Sequence, residues 1–384
     1  MKNMKKVLSS ALVAVMSLTM LTGCGGDKAS SDTWNFGGIG PTTGDAAAYG
    51  IGVRNGIELA VKEINEAGGI NGVQIEYRFE DDQLDNEKSV NGYNALKDWG
   101  MNVLIGSTTS GCSTAVSQVS SKDHMFQLTP SASSIDSVEA ENTFRVCFSD
   151  PSQGFSSAQY IGNNGLASKV AVIYNSSDSY SSGIYETFVA EAANQPFEVV
   201  SAEAFTDDNK TDFSVQLTKA KEAGADLVFL PMYYNEASLI LAQANAMDYA
   251  PIFFGVDGMD GILSNVEDFD TALAEGVYLL TPFAADAPES IDFTAAYEAA
   301  YGITPNQFAA DAYDAVYILK QLIEESGATP QDGISAICDK LSAQIKETSF
   351  TGLTGEDMTW QPDGNVNKDA KAVKIVNGAY QFVQ

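Results

Sequence analysis

Basic residues are scarce in this chain. Lysine and arginine total 21 against 51 aspartates and glutamates, a net charge of −30. Such a surface is repelled by phosphate backbones, which excludes DNA and RNA as partners. Histidine is scarcer still, since His124 stands alone. One imidazole beside scattered thiols cannot assemble a zinc site of the usual kind. A Ser-His-Asp triad would have to pass through His124, with no GxSxG elbow to accompany it. Gly37-Gly38-Ile39-Gly40 lacks the GxGxxG spacing of a dinucleotide loop. No catalytic residue, metal or cofactor is therefore expected, and the chain reads as something other than an enzyme. Of the four cysteines, Cys24 has a separate explanation; Cys112, Cys147 and Cys338 remain, with no CxxC pair. An odd set makes no disulfide framework, and the default role of these thiols is small apolar filling.

Long hydrophobic runs are also missing, with one exception at the start. Lys2, Lys5 and Lys6 precede an uncharged stretch, residues 7–21. That is the length of a signal h-region and short of the ~20 apolar residues a spanning helix needs. It ends Leu21-Thr22-Gly23-Cys24, small residues before a cysteine, which resembles a bacterial lipobox with Cys24 as the lipidated first residue of the mature chain. Residues 1–23 are read as a lipoprotein signal and 24–33 as a polar tether. The expected location is the extracytoplasmic face of the cell membrane, held by lipid.

What is present points to a packed α/β protein. Hydrophobic residues make up 45% of the chain and aromatics 10%, too many for disorder. Without the signal about 350 residues remain, enough for two lobes. A short apolar strand at 36–39 precedes a helix whose apolar positions Val53, Ile57, Ala60, Val61 and Ile64 fall on one face, closed by Gly68-Gly69. Strands are expected at 73–79, 103–106, 125–129 and 144–148, with a helix over 86–99. The alternation then restarts: strands at 169–174, 197–205, 227–230 and 252–255, helices at 182–193, around 213–220, and at 236–246. Short apolar strands between amphipathic helices indicate parallel sheets covered on both faces. Helices follow at 290–301, 307–325 and 331–346. Two closing strands, 372–376 and 379–383, flank the hairpin signal Asn377-Gly378.

Several motifs together resemble the leucine/isoleucine/valine-binding proteins of ABC transporters. Gly40-Pro41-Thr42-Thr43-Gly44, Tyr49-Gly50 and the run from Gly56 to Gly72 look like that family's opening. Asp81-Asp82, the stretch from Leu104 to Gly111, that from Leu128 to Ser133, Ala312-Tyr313-Asp314-Ala315 and the run from Phe350 to Gly355 continue the match in order. The resemblance implies a type I periplasmic-binding fold, two Rossmann-like lobes joined by three crossings with the ligand between them. By similarity the first lobe takes 34–149 and 282–352, the second 150–281 and 353–384. It also implies an ABC permease as partner, a monomer, and a small amino acid, branched-chain or otherwise apolar, as ligand. A sensor of the same fold, or a binder of an amide, urea or aromatic acid, is the alternative.

Ligands of open α/β sheets bind beyond the carboxyl ends of the strands. That rule selects the loops at Tyr49, Ser110, Ser131 to Ser133, Tyr180, Tyr233 and Asp257, and the resemblance places its ligand-binding residues on the same positions. Ser110 opens a helix, where backbone N–H groups and a hydroxyl hold a carboxylate. The resemblance gives Ser131 a carbonyl and Ser133 a hydroxyl and N–H toward the amino acid's charged ends. Asp257 stands where branched-chain binders carry glutamate for the α-ammonium, one methylene shorter. Tyr49, Tyr180 and Tyr233 would wall the side chain and Phe308 close it, with Tyr234 a rival to Tyr233.

Overall fold

The computed structural model describes residues 32–383 except 264, 265, 267 and 369. The expected signal segment and Cys24 lie outside the described residues. Strand β1 (Trp34–Gly40) is buried along its whole length, as a strand covered on both faces must be. It is followed by α1 (Ala47–Glu66), β2 (Ile75–Asp81), α2 (Asn86–Trp99), β3 (Val103–Ile105), α3 (Ser110–Asp123), β4 (Gln127–Thr129) and β5 (Thr143–Arg145). The five strands form one parallel sheet ordered β2-β1-β3-β4-β5. Local chemistry sets the helix ends. Asp85 caps α2 through the Lys88 N–H at 2.9 Å, and Gly100 ends it at a φ of 98°, which a side chain would resist.

After α4 (Asp150–Asn163) the pattern repeats. Strand β6 (Lys169–Asn175) leads to α5 (Ser179–Ala192), β7 (Glu198–Phe205), α6 (Ser214–Glu222), β8 (Leu227–Leu230), α7 (Tyr234–Ala246), β9 (Ile252–Gly255) and β10 (Tyr278–Thr281). Helices α8 (Ile291–Tyr301), α9 (Gln307–Ser326) and α10 (Ile334–Gln344) follow, then a short pair, β11 (Ser349–Phe350) and β12 (Met358–Thr359). The chain closes on β13 (Lys371–Val376) and β14 (Ala379–Phe382).

The second sheet is ordered β14-β13-β10-β9-β8-β6-β7. It is parallel from β10 to β7, but β13 and β14 run antiparallel. The parallel sheets are as expected, and the antiparallel edge is the closing hairpin expected at Asn377-Gly378. Asn377 and Gly378 both take positive φ, 53° and 74°, the geometry of a two-residue turn that reverses β13 into β14.

Helix α9 packs against α1 in the core of the first lobe, where Ile57, Ala60 and Ile64 meet Ala312, Val316 and Leu319. A Cβ at Gly56 would strike the Ala309 carbonyl, so that glycine sets how close the two helices come.

The lobe boundary expected after Gly352 is not where the chain changes sheets. The Leu353 and Thr354 N–H groups bond Asp314 at 3.0 and 2.9 Å. The Trp360 indole donates to the Arg145 carbonyl at 2.8 Å. These bonds keep the segment beside the first lobe, and the second sheet is entered only at Lys371. Lys368 anchors this passage. Its ammonium, fully buried, donates to Asp311 at 2.6 Å, to Thr354 Oγ1 at 2.7 Å and to the Val146 carbonyl at 3.1 Å. It thereby ties the strand leaving β5 to the segment arriving at β13, and both to α9. Removing one partner of such a pair strands the other charge away from water. Asp311→Ala is expected to destabilise the protein by about 3–5 kcal/mol, read as a drop in the urea midpoint.

Candidate functional site

The carboxyl ends of the two sheets face a common cleft. Tyr49 lies in the first turn of α1, and Ser110 is the first residue of α3. Ser131 follows β4, Tyr180 lies in the first turn of α5, Tyr233 caps α7, Asp257 follows β9, and Phe308 is second in α9. These seven line one tight cavity with about 20 Å³ of water-accessible space. The loops that carry them come from both lobes, so the cavity exists only where the lobes meet. Helix α5 starts three residues earlier than its apolar pattern suggests because Asp178 caps it, accepting from the Tyr180 N–H at 3.4 Å. That cap aims Tyr180 inward.

The hydroxyls are already committed in an informative way. Ser110 Oγ accepts from the N–H groups of Ser133 and Ser134 at 3.2 and 3.1 Å. With its lone pairs engaged, its own proton is free to be donated. The Ser131 hydroxyl is spent on the Thr108 carbonyl at 2.6 Å. Tyr49 donates to the Gly258 carbonyl and accepts from the Tyr234 N–H at 3.3 Å. Tyr180 donates to Asp257 Oδ1 at 2.5 Å and accepts from the Gly258 N–H at 2.8 Å. A side chain at Gly258 would press on that phenol oxygen, 2.6 Å from the Cβ position.

The aromatic rings form a continuous wall. Phe308 lies 4.4 Å from Tyr49, Tyr233 stacks on Tyr180 at 5.2 Å, and Tyr233 meets Tyr49 edge-on at 5.3 Å. Between the two neighbouring tyrosines the structure chooses Tyr233 for the cavity. Tyr234 is buried beneath it, its hydroxyl accepting from the Ala48 N–H at 3.3 Å.

Asp257 is buried, and burial pushes its carboxyl up to about 7. The bonds from Tyr180 and Gln153 pull the other way, and the Asp311 charge adds to the rise. Ser133 is not brought to the cavity wall. Its N–H is held by Ser110 and its carbonyl accepts from Arg145, so it sits one layer back as a brace. Thr108, Thr109 and Gly258 do line the cavity; they went unmarked, although each sits inside or beside a motif already singled out. Gln153, whose Oε1 accepts from the Asp257 N–H at 3.2 Å, carried no signal because α4 reaches the site only through tertiary packing.

Elsewhere, His124 lies at the surface as the C-cap of α3, 2.8 Å from Asp339. Cys112, Cys147 and Cys338 are buried free thiols. Among the described residues no group of His, Cys, Asp and Glu could hold a metal ion.

Two open sheets presenting their strand ends to a shared cleft define a two-lobed protein that encloses a small molecule at the seam. The chain belongs to the periplasmic binding protein family, whose model matches residues 33–379. It is 33% identical to a Leu/Ile/Val-binding protein homologue of Brucella melitensis, over 83% of this chain and 86% of that one. It is 27% identical, over 91% of each, to a leucine-, isoleucine-, valine-, threonine- and alanine-binding protein of Pseudomonas aeruginosa. Among solved structures, the branched-chain amino acid transporter substrate-binding protein LivJ of Streptococcus pneumoniae, in complex with isoleucine, superposes with a TM-score of 0.82 at 30% identity. That match covers 91% of this chain and 99% of the other.

The Tyr180 bond has a measurable consequence. Tyr180→Phe removes a donor that favours the charged carboxylate, so the Asp257 midpoint is expected to rise above about 7. Carboxyl-carbon NMR titration reads it directly.

Proposed function

We propose that the chain is the extracytoplasmic substrate-binding component of an ABC importer and captures an apolar, branched-chain α-amino acid between its lobes. The observation that carries this reading is the pairing of Asp257 with the start of α3 across one cavity. An α-carboxylate at that helix start meets oriented N–H groups and the free proton of Ser110. An α-ammonium beside Asp257 supplies the counter-charge that the buried carboxylate otherwise lacks. A bare carboxylic acid would gain nothing from Asp257, which weighs against aromatic acids as ligand. The hydroxyls of Tyr49 and Tyr180 are satisfied within the protein, so these residues offer ring faces to the side chain and favour an apolar one. Binding of isoleucine by a structural relative supports the same class.

The protein works by binding alone, as a monomer. The lobes close on the ligand and the closed form docks on a permease, the chain being held at the membrane by lipid on Cys24. Membrane attachment has a simple test. Cys24→Ser should move the protein from the membrane fraction to the aqueous phase of a detergent partition.

Calorimetry against leucine, isoleucine, valine, alanine and threonine is expected to give micromolar binding for at least one, about −8 kcal/mol. Silence toward all five would end this reading. Asp257→Ala should weaken that binding by at least about 30-fold, since the ammonium loses its only acid in the cavity. The sign with pH follows from the raised carboxyl. Cation binding needs the ionised form, so affinity should fall as pH drops below about 7, approaching tenfold per pH unit, and level off above it.

A further inference from the structure

Outside the small cavity the cleft opens into a mouth of about 1120 Å³ that shares Thr109 and Tyr233 with it. Its walls are acidic on both sides. Asp45, Asp85 and Glu87 of the first lobe and Asp178, Asp207 and Glu236 of the second all line it. Bringing two like-charged walls together costs free energy, and this cost rises as the lobes approach. Among the described residues Lys210, on the turn after β7, is the one cationic side chain in that lining.

Its placement is specific. Lys210 Nζ lies 3.1 Å from Asp45 Oδ2 of the first lobe and 3.5 Å from Glu236 Oε1 of its own. Glu236 is only 7% exposed, so the Lys210–Glu236 pair is shielded from water, whereas the Asp45 side chain across the seam is 63% exposed and its pairing with Lys210 is open to screening by salt. The Asn235 amide donates to the Asp45 carbonyl at 2.7 Å and seats the same turn a second time. Both ends of this contact lead straight to the cavity. Asp45 precedes α1, whose first turn carries Tyr49, and Glu236 lies in the first turn of α7, which Tyr233 caps.

We propose that Lys210 is an affinity-determining residue that never touches ligand: by bridging Asp45 and Glu236 it offsets part of the charge of the acidic seam and latches the two lobes shut over the cavity. This rests on the reading that the lobes close around an amino acid. Two opposing electrostatic forces act at the seam, wall-to-wall repulsion and the Lys210 bridge, and salt screens both. With Lys210 present the two effects oppose one another. Without it only repulsion is left, so added salt should help closure.

The test is Lys210→Gln, which keeps the side-chain length and removes the charge. At about 20 mM salt the variant is expected to bind leucine roughly five- to tenfold more weakly than wild type. At about 500 mM most of that deficit should vanish, while wild-type affinity changes less than about twofold. Equal affinity at low salt, or a deficit that persists at high salt, overturns the latch. If neither protein binds any amino acid, the functional reading fails separately, and the radius of gyration of the free protein then decides. A larger radius for the variant at low salt, contracting with added salt, supports the latch; equal radii refute it.

Discussion

A carboxylate buried without a bound cation is among the most costly groups a protein can hold, and Asp257 is such a group. It sits at the end of β9, where the lobes meet, and its surroundings limit the cost without removing it. Tyr180 donates to it and Gln153 holds its backbone, yet burial still lifts its carboxyl to about 7. The site is therefore electrostatically incomplete by itself, and in the proposed reading a ligand ammonium would complete it. Across the cavity the start of α3 has the opposite need, since its oriented N–H groups and the Ser110 proton favour an anion. A zwitterion answers both demands at once.

That arrangement depends on two sheets presenting their carboxyl ends to each other, and the crossings make this possible. Buried chemistry holds the passages that follow β5 and precede β13. Lys368 ties the segment leaving β5 to the one approaching β13 through Val146, Thr354 and Asp311. Its ammonium is shielded from water, so the tie is insensitive to the acidic exterior. The contacts at the cleft mouth are different in kind. Lys210 and Asp45 meet in partial contact with solvent, where charge attraction is weaker and tunable. A buried tie at the crossings and a solvent-exposed contact at the seam are what the proposed closure and reopening would require.

Much of the fold was legible from periodicity. Apolar strands alternating with amphipathic helices marked both lobes, and Asn377-Gly378 marked the closing hairpin, because these signals are local. The ends of elements were less legible. Asp178 starts α5 three residues before its apolar pattern does, since a cap acts through one carboxylate and not through a repeating face. The passage after Gly352 stays with the first lobe longer than expected, held by bonds to Asp314 and Arg145 that join residues far apart in sequence.

The amino-acid sequence by itself determined which loops lie at strand ends, and so which residues were available to form a site. Which segments are strands and which are helices follows from local patterning. Only the tertiary structure decided which of those residues share the cavity. It placed Tyr233 in the wall and Tyr234 beneath it, set Ser133 behind Ser110, and brought Gln153 of α4 against Asp257. The physical reason is that burial and hydrogen-bond geometry are properties of converging elements. Two adjacent tyrosines are chemically alike along the chain and become different only when another lobe packs against one of them.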